Sequence, residues 1–282
     1  MTSSSLTWLV TGSSRGLGRA IVEALLDREH NVIATLRHPA DLDDLAADHP
    51  NSLLCLEHDV RNEARASEVV QTGTARFGQI DVLVNNAGYG LVGSVEELSD
   101  EQIRCQMETN FLGAVWTTKA VIPGMRETGK GEIVQVSTTG AVGTMPFFSL
   151  YNASKWALEG FSEALAGEVA GFGIGVTIAE PGSLATDWAG SSMVFAGNDP
   201  AYDGQRLSLF GQERLPWDLE APDPGAGDPV KAAATLIDHV GRDPAARPLR
   251  LLVGQDAPAQ VSAALALRRD DYARNPGFEW PG

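Results

Sequence analysis

The sequence is poor in cysteine and in basic residues, and it has no long apolar run. Cys55 and Cys105 are the only cysteines among 282 residues, so no disulfide framework is predicted and a reducing compartment is favoured. The 21 lysines and arginines are outnumbered by 37 acidic residues, and the net charge of −16 argues against nucleic acid and anionic membrane surfaces as partners. The start, MTSSSLTWLVTG, has no basic n-region and no membrane-length apolar stretch, so we expect no signal peptide, no transmembrane helix and a cytoplasmic location.

The chain does have a regular alternation of short apolar runs with segments of helical periodicity, such as GRAIVEALLDRE. The runs predict buried strands at LTWLV (6–10), NVIATL (31–36), SLLCLE (52–57), IDVLVN (80–85), GEIVQVS (131–137), GVTIAE (175–180) and RLLVG (250–254). Strands and helices that alternate in this way form βαβ units, whose parallel sheet is covered by helices on both faces. The sequence therefore predicts an α/β protein with one doubly wound domain over residues 1–282 and about seven parallel strands.

Two segments depart from this alternation. Residues 187–228 are rich in Gly, Pro, Asp and scattered aromatics, and they are predicted to form a long insertion that borders the substrate. Residues 255–282 are predicted to be a C-terminal extension with a short helical pattern and a loose end, NPGFEWPG.

A glycine-rich turn, TGSSRGLG at residues 11–18, joins the first predicted strand to the first helix. Gly12, Gly16 and Gly18 allow a tight turn and a close approach of the backbone to a pyrophosphate at the helix N-terminus. Because the motif lies between a strand and a helix, in the first βαβ unit, it predicts a dinucleotide site.

Tyr151 and Lys155 stand four residues apart in YNASK, ahead of a run with helical spacing, so they share one helix face. A tyrosine has an ordinary pKa of about 10 and exchanges protons poorly near neutrality unless a cation stabilises the phenolate. Lys155 can be that cation. The alternative is a packed tyrosine beside a solvated lysine.

Further motifs follow in order along the chain. They are Asp59 and Val60 after the third strand, NNAG at 85–88 after the fourth, Asn110 in METNFLGA, Tyr151 with Lys155, and PGSLAT at 181–186. From about residue 6 to about residue 254, these motifs resemble the classical short-chain dehydrogenase/reductase family, and NNAGYGLVG resembles its branch of steroid and retinol dehydrogenases. The resemblance implies a Rossmann-type fold and an oxidoreductase that interconverts a carbonyl and a secondary alcohol.

The resemblance also implies catalytic roles. Tyr151 would move a proton to or from the substrate oxygen, while Lys155 would lower the Tyr151 pKa and hold the cofactor ribose. Asn110 would support a proton-relay water near Lys155, with a buried structural amide as the alternative. The family's serine, thirteen residues before the tyrosine, is here Thr138, whose hydroxyl can still polarise a carbonyl. Ser137 is the alternative for that role.

Cofactor contacts are implied around the same motifs. The residues are Gly12, Ser14, Arg15, Gly16, Leu17, Gly18, Arg37, Asp59, Val60, Asn86, Ala87, Gly88, Tyr151, Lys155, Pro181, Gly182 and Thr186. Asp59 could instead cap the next helix, Asn85 could serve only the turn, and Thr186 could only satisfy backbone groups. No metal site is predicted.

The end of the second strand indicates which nucleotide is bound. An acid there would bind the free ribose of NAD and repel the 2′-phosphate of NADP. The residue at that position is Leu36, and Arg37 follows it. Arg15 lies in the glycine motif, so two guanidinium groups can converge on a 2′-phosphate. Either arginine alone could be a surface charge, but the pair without the acid favours NADP(H).

The substrate is predicted only as a class. Apolar side chains at Tyr89, Leu91, Pro146 to Phe148, Trp188, Met193, Val194 and Phe195 suit a lipophilic ketone, aldehyde or alcohol, although each of them could equally belong to the core. The alternative function is an NADP-binding protein that senses redox state or serves a partner, with weak or no catalysis. The family resemblance further implies a homodimer or homotetramer.

Overall fold

The computed structural model describes residues 5–186, 192–216, 226–277 and 279 of the chain. Within them the strands are β1 Thr7–Thr11, β2 Asn31–Leu36, β3 Leu53–Glu57, β4 Val82–Asn85, β5 Gly90–Val92, β6 Gly131–Val136, β7 Ile174–Pro181, β8 Met193–Phe195 and β9 Arg250–Val253. The α-helices are α1 Gly16–Asp27, α2 Asp43–Asp48, α3 Glu63–Phe77, α4 Asp100–Met107, α5 Gly113–Thr128, α6 Ser149–Val169, α7 Asp203–Phe210, α8 Pro229–Val240 and α9 Ala257–Tyr272.

Seven of the strands form one parallel sheet in the order β3-β2-β1-β4-β6-β7-β9. The chain moves outward from β1 to β3, then returns to the other side of β1 and moves outward again from β4 to β9. Between β1 and β4 the direction of winding reverses, and the loops after these two strands diverge and leave a crevice. The sheet therefore places a ligand site beside Thr11 and Asn85, the last residues of β1 and β4.

The apolar core lies in two layers, one on each face of the sheet. Along β1, Trp8 and Val10 belong to one layer and Leu9 to the other, because successive side chains of a strand alternate. The first layer includes side chains of α1 and α8, and the second includes side chains of α3, α5 and α6. Helices thus cover both faces, and the predicted doubly wound fold is confirmed, with all seven predicted strands in the sheet.

The segment predicted to be a long insertion contains more regular structure than its composition indicates. Strand β8 pairs in parallel with β5 in a separate two-stranded sheet, and α7 follows. Arg206 of α7 is fully buried and donates to the carboxylates of Glu97 and Asp203. This ion-pair network fastens the segment to the residues that follow β5. Strands of three residues show no detectable period in a sequence, so β5 and β8 were not predicted.

The C-terminal extension is also more ordered than its sequence pattern indicates. Helix α9 has 16 residues, longer than the short helical pattern that was expected. No helix in the described ranges is both long and apolar enough to cross a bilayer.

Glu180 is a buried acid in β7, next to the carboxyl end of the strand. It is only 1% exposed, and Arg250 of β9 places Nε 3.0 Å from its Oε1. The same guanidinium contacts Glu159 and Glu163 of α6. Burial and, after it, repulsion from Glu159 raise the pKa of Glu180 to about 7, against the attraction of Arg250.

We expect Glu180 to make the protein less stable as the pH rises. In the folded state this carboxyl keeps a proton that the unfolded chain has already lost, so its contribution is complete below about pH 4.5 and lost as the pH rises through about 7. The loss is on the order of 2 kcal/mol. Urea unfolding at about pH 5 and about pH 8 should show a smaller decrease in the free energy of unfolding for Glu180→Gln than for the wild type. Glu163→Gln, an exposed partner of the same arginine, is the control, and an equal decrease in all three proteins would contradict the assignment.

Candidate active site

The glycine motif forms the tight turn between β1 and α1. Gly12 and Gly16 have φ of +68° and +57°, where glycine is favoured. A Cβ on Gly18 would lie 2.2 Å from the Gly12 carbonyl oxygen, and one on Gly12 would lie 2.7 Å from the Cα of Ala87. Helix α1 follows Arg15, whose side chain has no acceptor with which to cap a helix, and no acid lies in the first turn. The N–H groups of this turn therefore suit an anion such as a pyrophosphate.

The two asparagines at the end of β4 act differently. Asn85 is buried, and its Nδ2 donates to Thr118 Oγ1 and to Gln135 Oε1, which favours the structural alternative for this residue. Asn86 donates through Nδ2 to the Gly12 carbonyl oxygen at 3.0 Å. That bond holds the glycine turn against the end of β4.

Tyr151 and Lys155 lie one turn apart on α6, and both are buried. Lys155 Nζ donates to the carbonyl oxygen of Val136, the last residue of β6, at 2.8 Å. Thr138 follows β6 and hydrogen-bonds Tyr151, while its Oγ1 also accepts from the Gly140 N–H at 3.1 Å. Strand β6 and helix α6 thus bring a phenol, an ammonium and a hydroxyl to the carboxyl edge of the sheet.

Burial sets the protonation of this group. It raises the pKa of Tyr151 to about 12, and the hydrogen bond with Thr138 is the opposing influence. It lowers the pKa of Lys155 to about 8, against the attraction of Glu159. The Lys155 ammonium donates to Val136, and the expectation that Lys155 lowers the Tyr151 pKa stays a prediction.

Thr138 and Ser137, the two candidates for the hydroxyl that polarises a carbonyl, have different surroundings. Thr138 is half-buried and hydrogen-bonds Tyr151. Ser137 is buried, and its Oγ has no hydrogen-bond partner among the described residues. The contact with Tyr151 favours Thr138.

One cleft of about 1470 Å³ joins these parts. Nearly all predicted site residues line it: Gly12, Ser14, Arg15, Gly16, Leu17, Gly18, Arg37, Asp59, Val60, Asn86, Ala87, Gly88, Thr138, Tyr151, Lys155, Pro181, Gly182 and Thr186.

Asn110 stands behind the wall of the cleft. It lies in a π-helical turn, Glu108–Leu112, between α4 and α5, and it is almost fully buried. Its Oδ1 accepts from the Tyr89 N–H at 3.1 Å, and its Nδ2 donates to the Tyr89 carbonyl oxygen and to Ser154 Oγ. These bonds are those of a buried structural amide, so the water-supporting role of Asn110 stays a prediction.

A smaller cavity of about 400 Å³ adjoins the glycine turn. It is lined by Ser14, Arg15, Arg37, His38 and Asp41. Leu36 is buried against the core and also lines the large cleft, whereas Arg37 is exposed. The two predicted arginines therefore border the same space.

Asp59 has a clear partner at this end of the cleft. Its carboxylate accepts from Arg61, with Nη2 2.6 Å from Oδ2, and that pair lowers the Asp59 pKa. Asn62 caps α3 by accepting from the Arg65 N–H. The alternative that Asp59 caps this helix is therefore wrong. Arg61 also lines the cleft, and no motif of the sequence indicated this residue.

The loop after β7 closes the cleft across from the glycine turn. A Cβ on Gly16 would lie 3.4 Å from the Thr186 Cβ, so Thr186 lies directly over that turn. The Thr186 N–H donates to the Leu184 carbonyl oxygen, and the Ser183 N–H donates to Asp256 Oδ2 at 2.8 Å.

The predicted substrate wall is only partly exposed to the cleft. Tyr89, Phe148 and Val194 line it, and Met145 and Trp156 join them. The remaining described candidates do not reach the wall: Leu91, Pro146, Phe147, Met193 and Phe195. Leu91, Phe147 and Met193 are instead buried core residues, which is the alternative that their apolar character left open. Trp188 lies outside the described residues.

Helix α9 supplies a wall that was not predicted. Its cleft-lining residues are Gln260, Ala263, Ala264, Leu267 and Arg268. Their spacing places them on one helix face. The stripe is mostly small or polar, so periodicity of large apolar residues could not have revealed it.

The chain matches the family model described as short chain dehydrogenase over residues 7–193. It is 39% identical over 252 residues to the oxidoreductase BOA17 of Botryotinia fuckeliana, with 89% of each chain covered. It is 35% identical to retinol dehydrogenase 8 of Homo sapiens, over 77% of this chain and 71% of that one.

Solved structures show the same fold. A short-chain dehydrogenase from Streptomyces avermitilis superposes with a TM-score of 0.84 at 38% identity, with 96% of both chains covered. A Burkholderia cenocepacia short chain dehydrogenase in complex with NADP has a TM-score of 0.74 at 24% identity, covering 96% of this chain and 97% of that one. A Burkholderia phymatum dehydrogenase in complex with NAD has a TM-score of 0.77 at 19% identity over the whole of both chains. Proteins of this fold thus hold either nucleotide.

Proposed function

The chain belongs to the short-chain dehydrogenase family and is an oxidoreductase, and we propose that it transfers a hydride between NADP(H) and the carbonyl or alcohol carbon of a lipophilic substrate. The observation that carries this proposal is the pair of hydroxyls on Tyr151 and Thr138, hydrogen-bonded to each other in the same cleft as the glycine turn. The glycine turn fits a dinucleotide because it leads into the N-terminus of α1, which has no capping side chain and no acid in its first turn, so its N–H groups can bind a pyrophosphate.

Tyr151 is the proton donor of the proposed reduction. Burial raises its pKa to about 12, so the hydroxyl keeps its proton at neutral pH, and transfer of that proton to a carbonyl oxygen relies on stabilisation of the phenolate by the Lys155 ammonium on the next turn of α6. Thr138 is placed to donate a second hydrogen bond to that oxygen. Lys155 presents an ammonium that can bind ribose hydroxyls beside them. When bound, the nicotinamide supplies the hydride.

The choice of NADP(H) is supported by charge at the smaller cavity. Arg15 and Arg37 border it, and arginine binds phosphate with two charge-assisted hydrogen bonds in a fixed geometry. Leu36 is buried and offers no acceptor to a free ribose hydroxyl. Asp41 also borders the cavity, so the two arginines leave a net positive site.

The first test is the preference between nucleotides. Oxidation of NADPH or NADH is followed by the loss of nucleotide absorbance with a panel of lipophilic ketones and aldehydes. We expect kcat/KM for NADPH to be roughly a hundredfold or more above that for NADH, because charge-assisted bonds to the 2′-phosphate are strong. Leu36→Asp with Arg37→Gln should reverse this preference, since it removes an attraction and adds a repulsion.

Arg104→Gln is the matched control, because Arg104 is exposed on α4 and borders neither cavity. Comparison of the single variant Arg37→Gln with the double variant separates the effect of losing the charge from the strain of placing a carboxylate at position 36. Equal use of NADH and NADPH by the wild type would show that the arginines act elsewhere.

A further inference from the structure

The outer wall of the cleft has a polar residue near each end of one helical stripe. Gln260 and Arg268 of α9 both line the cleft, eight residues apart, so their Cα atoms lie about 12 Å apart along the helix. Ala263, Ala264 and Leu267 lie between them on the same face. The wall is thus polar, then apolar, then basic.

Gln260 marks the reacting end of this wall. Thr139 Oγ1 donates to Gln260 Oε1 at 2.6 Å, and Thr139 directly follows the proposed catalytic Thr138. Gln260 Nε2 in turn donates to Asp256, which accepts from the Ser183 N–H in the loop after β7. These bonds fix the stripe relative to Tyr151 and Thr138.

Arg268 lies at the other end of this stripe. Its contacts hold it in place but do not pair its charge with a carboxylate of the residues that the structure describes. Its Nη2 donates to the Val142 carbonyl oxygen at 2.6 Å, and its guanidinium lies over the Trp156 ring, 4.8 Å from the centroid. No carboxylate of the described chain pairs with it. Arg61, elsewhere on the cleft wall, is paired with Asp59. In a chain of net charge −16, Arg268 is thus a cation that still has N–H donors to offer.

Exposed apolar side chains line the same cleft as this arginine. Met145 and Trp156 are each 46% exposed, and Leu267 is 73% exposed. All three line the cleft. Exposed apolar side chains grouped around a cleft are typical of a ligand-binding groove.

We propose that α9 binds the end of the substrate that lies away from the reacting carbonyl. The substrate is a lipophilic ketone or aldehyde with a carboxylate at that end, and Arg268 binds the carboxylate. The apolar body lies along Leu267, Met145 and Trp156, and the carbonyl lies at Tyr151 and Thr138. This assignment rests on the proposed reductase function and adds a specificity-determining residue to it.

The test compares matched substrates: a straight-chain oxo acid of about ten carbons, long enough to span about 12 Å, and its methyl ester. With NADPH, the wild type should prefer the acid over the ester in kcat/KM by about tenfold or more, the range expected of a hydrogen bond to a charged group. Arg268→Gln should remove this preference mainly by raising KM for the acid, and the ester should keep its rate. Arg268→Lys should restore part of it.

Arg269→Gln is the control, because Arg269 is exposed, pairs with Asp270 and does not line the cleft. An equal loss of rate for acid and ester in Arg268→Gln would show that the arginine only holds α9 in place, and would overturn the proposal. So would a wild type that prefers the ester. Absence of NADPH consumption with every carbonyl would instead contradict the proposed function itself.

Discussion

Replacing Tyr151 with phenylalanine is expected to lower kcat by on the order of a thousandfold or more while leaving NADPH binding nearly unchanged. Tyr151 is the only group assigned to proton transfer. Phenylalanine keeps the ring that meets Phe148 edge-on, with centroids 6.2 Å apart, so packing should persist. The measurements are single-turnover loss of NADPH absorbance and a fluorescence titration with NADPH.

Tyr202→Phe is the matched control for this substitution. Tyr202 donates to Glu96 and packs on Phe147, away from the cleft wall, so its hydroxyl should not matter to turnover. Turnover of Tyr151→Phe within about tenfold of the wild type would show that another group moves the proton. A wild type that binds NADPH tightly but turns over no carbonyl would favour the alternative of an NADP-binding protein.

Thr138→Ala is expected to lose on the order of a hundredfold in rate, the loss typical of removing one donor to a developing oxyanion. The variant also loses the hydrogen bond that opposes the high Tyr151 pKa. Thr138→Ser keeps the hydroxyl without the methyl group and should stay active. The rates are compared with one substrate at saturating NADPH.

Ser137→Ala separates the two candidates for this role. Ser137 is the neighbour of Thr138 and its Oγ is without a described partner, so its removal should change the rate little. A dead Ser137→Ala together with a normal Thr138→Ala would transfer the role to Ser137.

The sheet could be predicted from the sequence because a parallel strand buried on both faces reads as a continuous apolar run. NVIATL and GEIVQVS gave β2 and β6 within one residue of their observed ends. The motif residues follow these strands, and the carboxyl ends of parallel strands meet at one edge, so their gathering around one cleft follows from the topology.

Other parts of the site carry no comparable signal. The burial of Arg206 depends on carboxylates that lie apart from it in sequence, such as Glu97. The high pKa of Tyr151 depends on how completely neighbouring elements cover it, which a pattern of residue types does not state. The contact of α9 with the cleft depends on bonds such as that from Thr139 to Gln260, across 121 positions of the chain.

The π turn at Glu108–Leu112 sets the rotational phase of the helix it interrupts. One extra residue in a helical turn rotates everything beyond it by about 100°. Before the turn, Gln106 reaches the Tyr89 carbonyl oxygen, and after it, Thr118 accepts from Asn85. In an uninterrupted α-helix only one of the side chains of Gln106 and Thr118 could face the end of β4. The length of this turn is therefore itself a requirement of this chain: loss of one residue here would leave both helices well formed and misalign them.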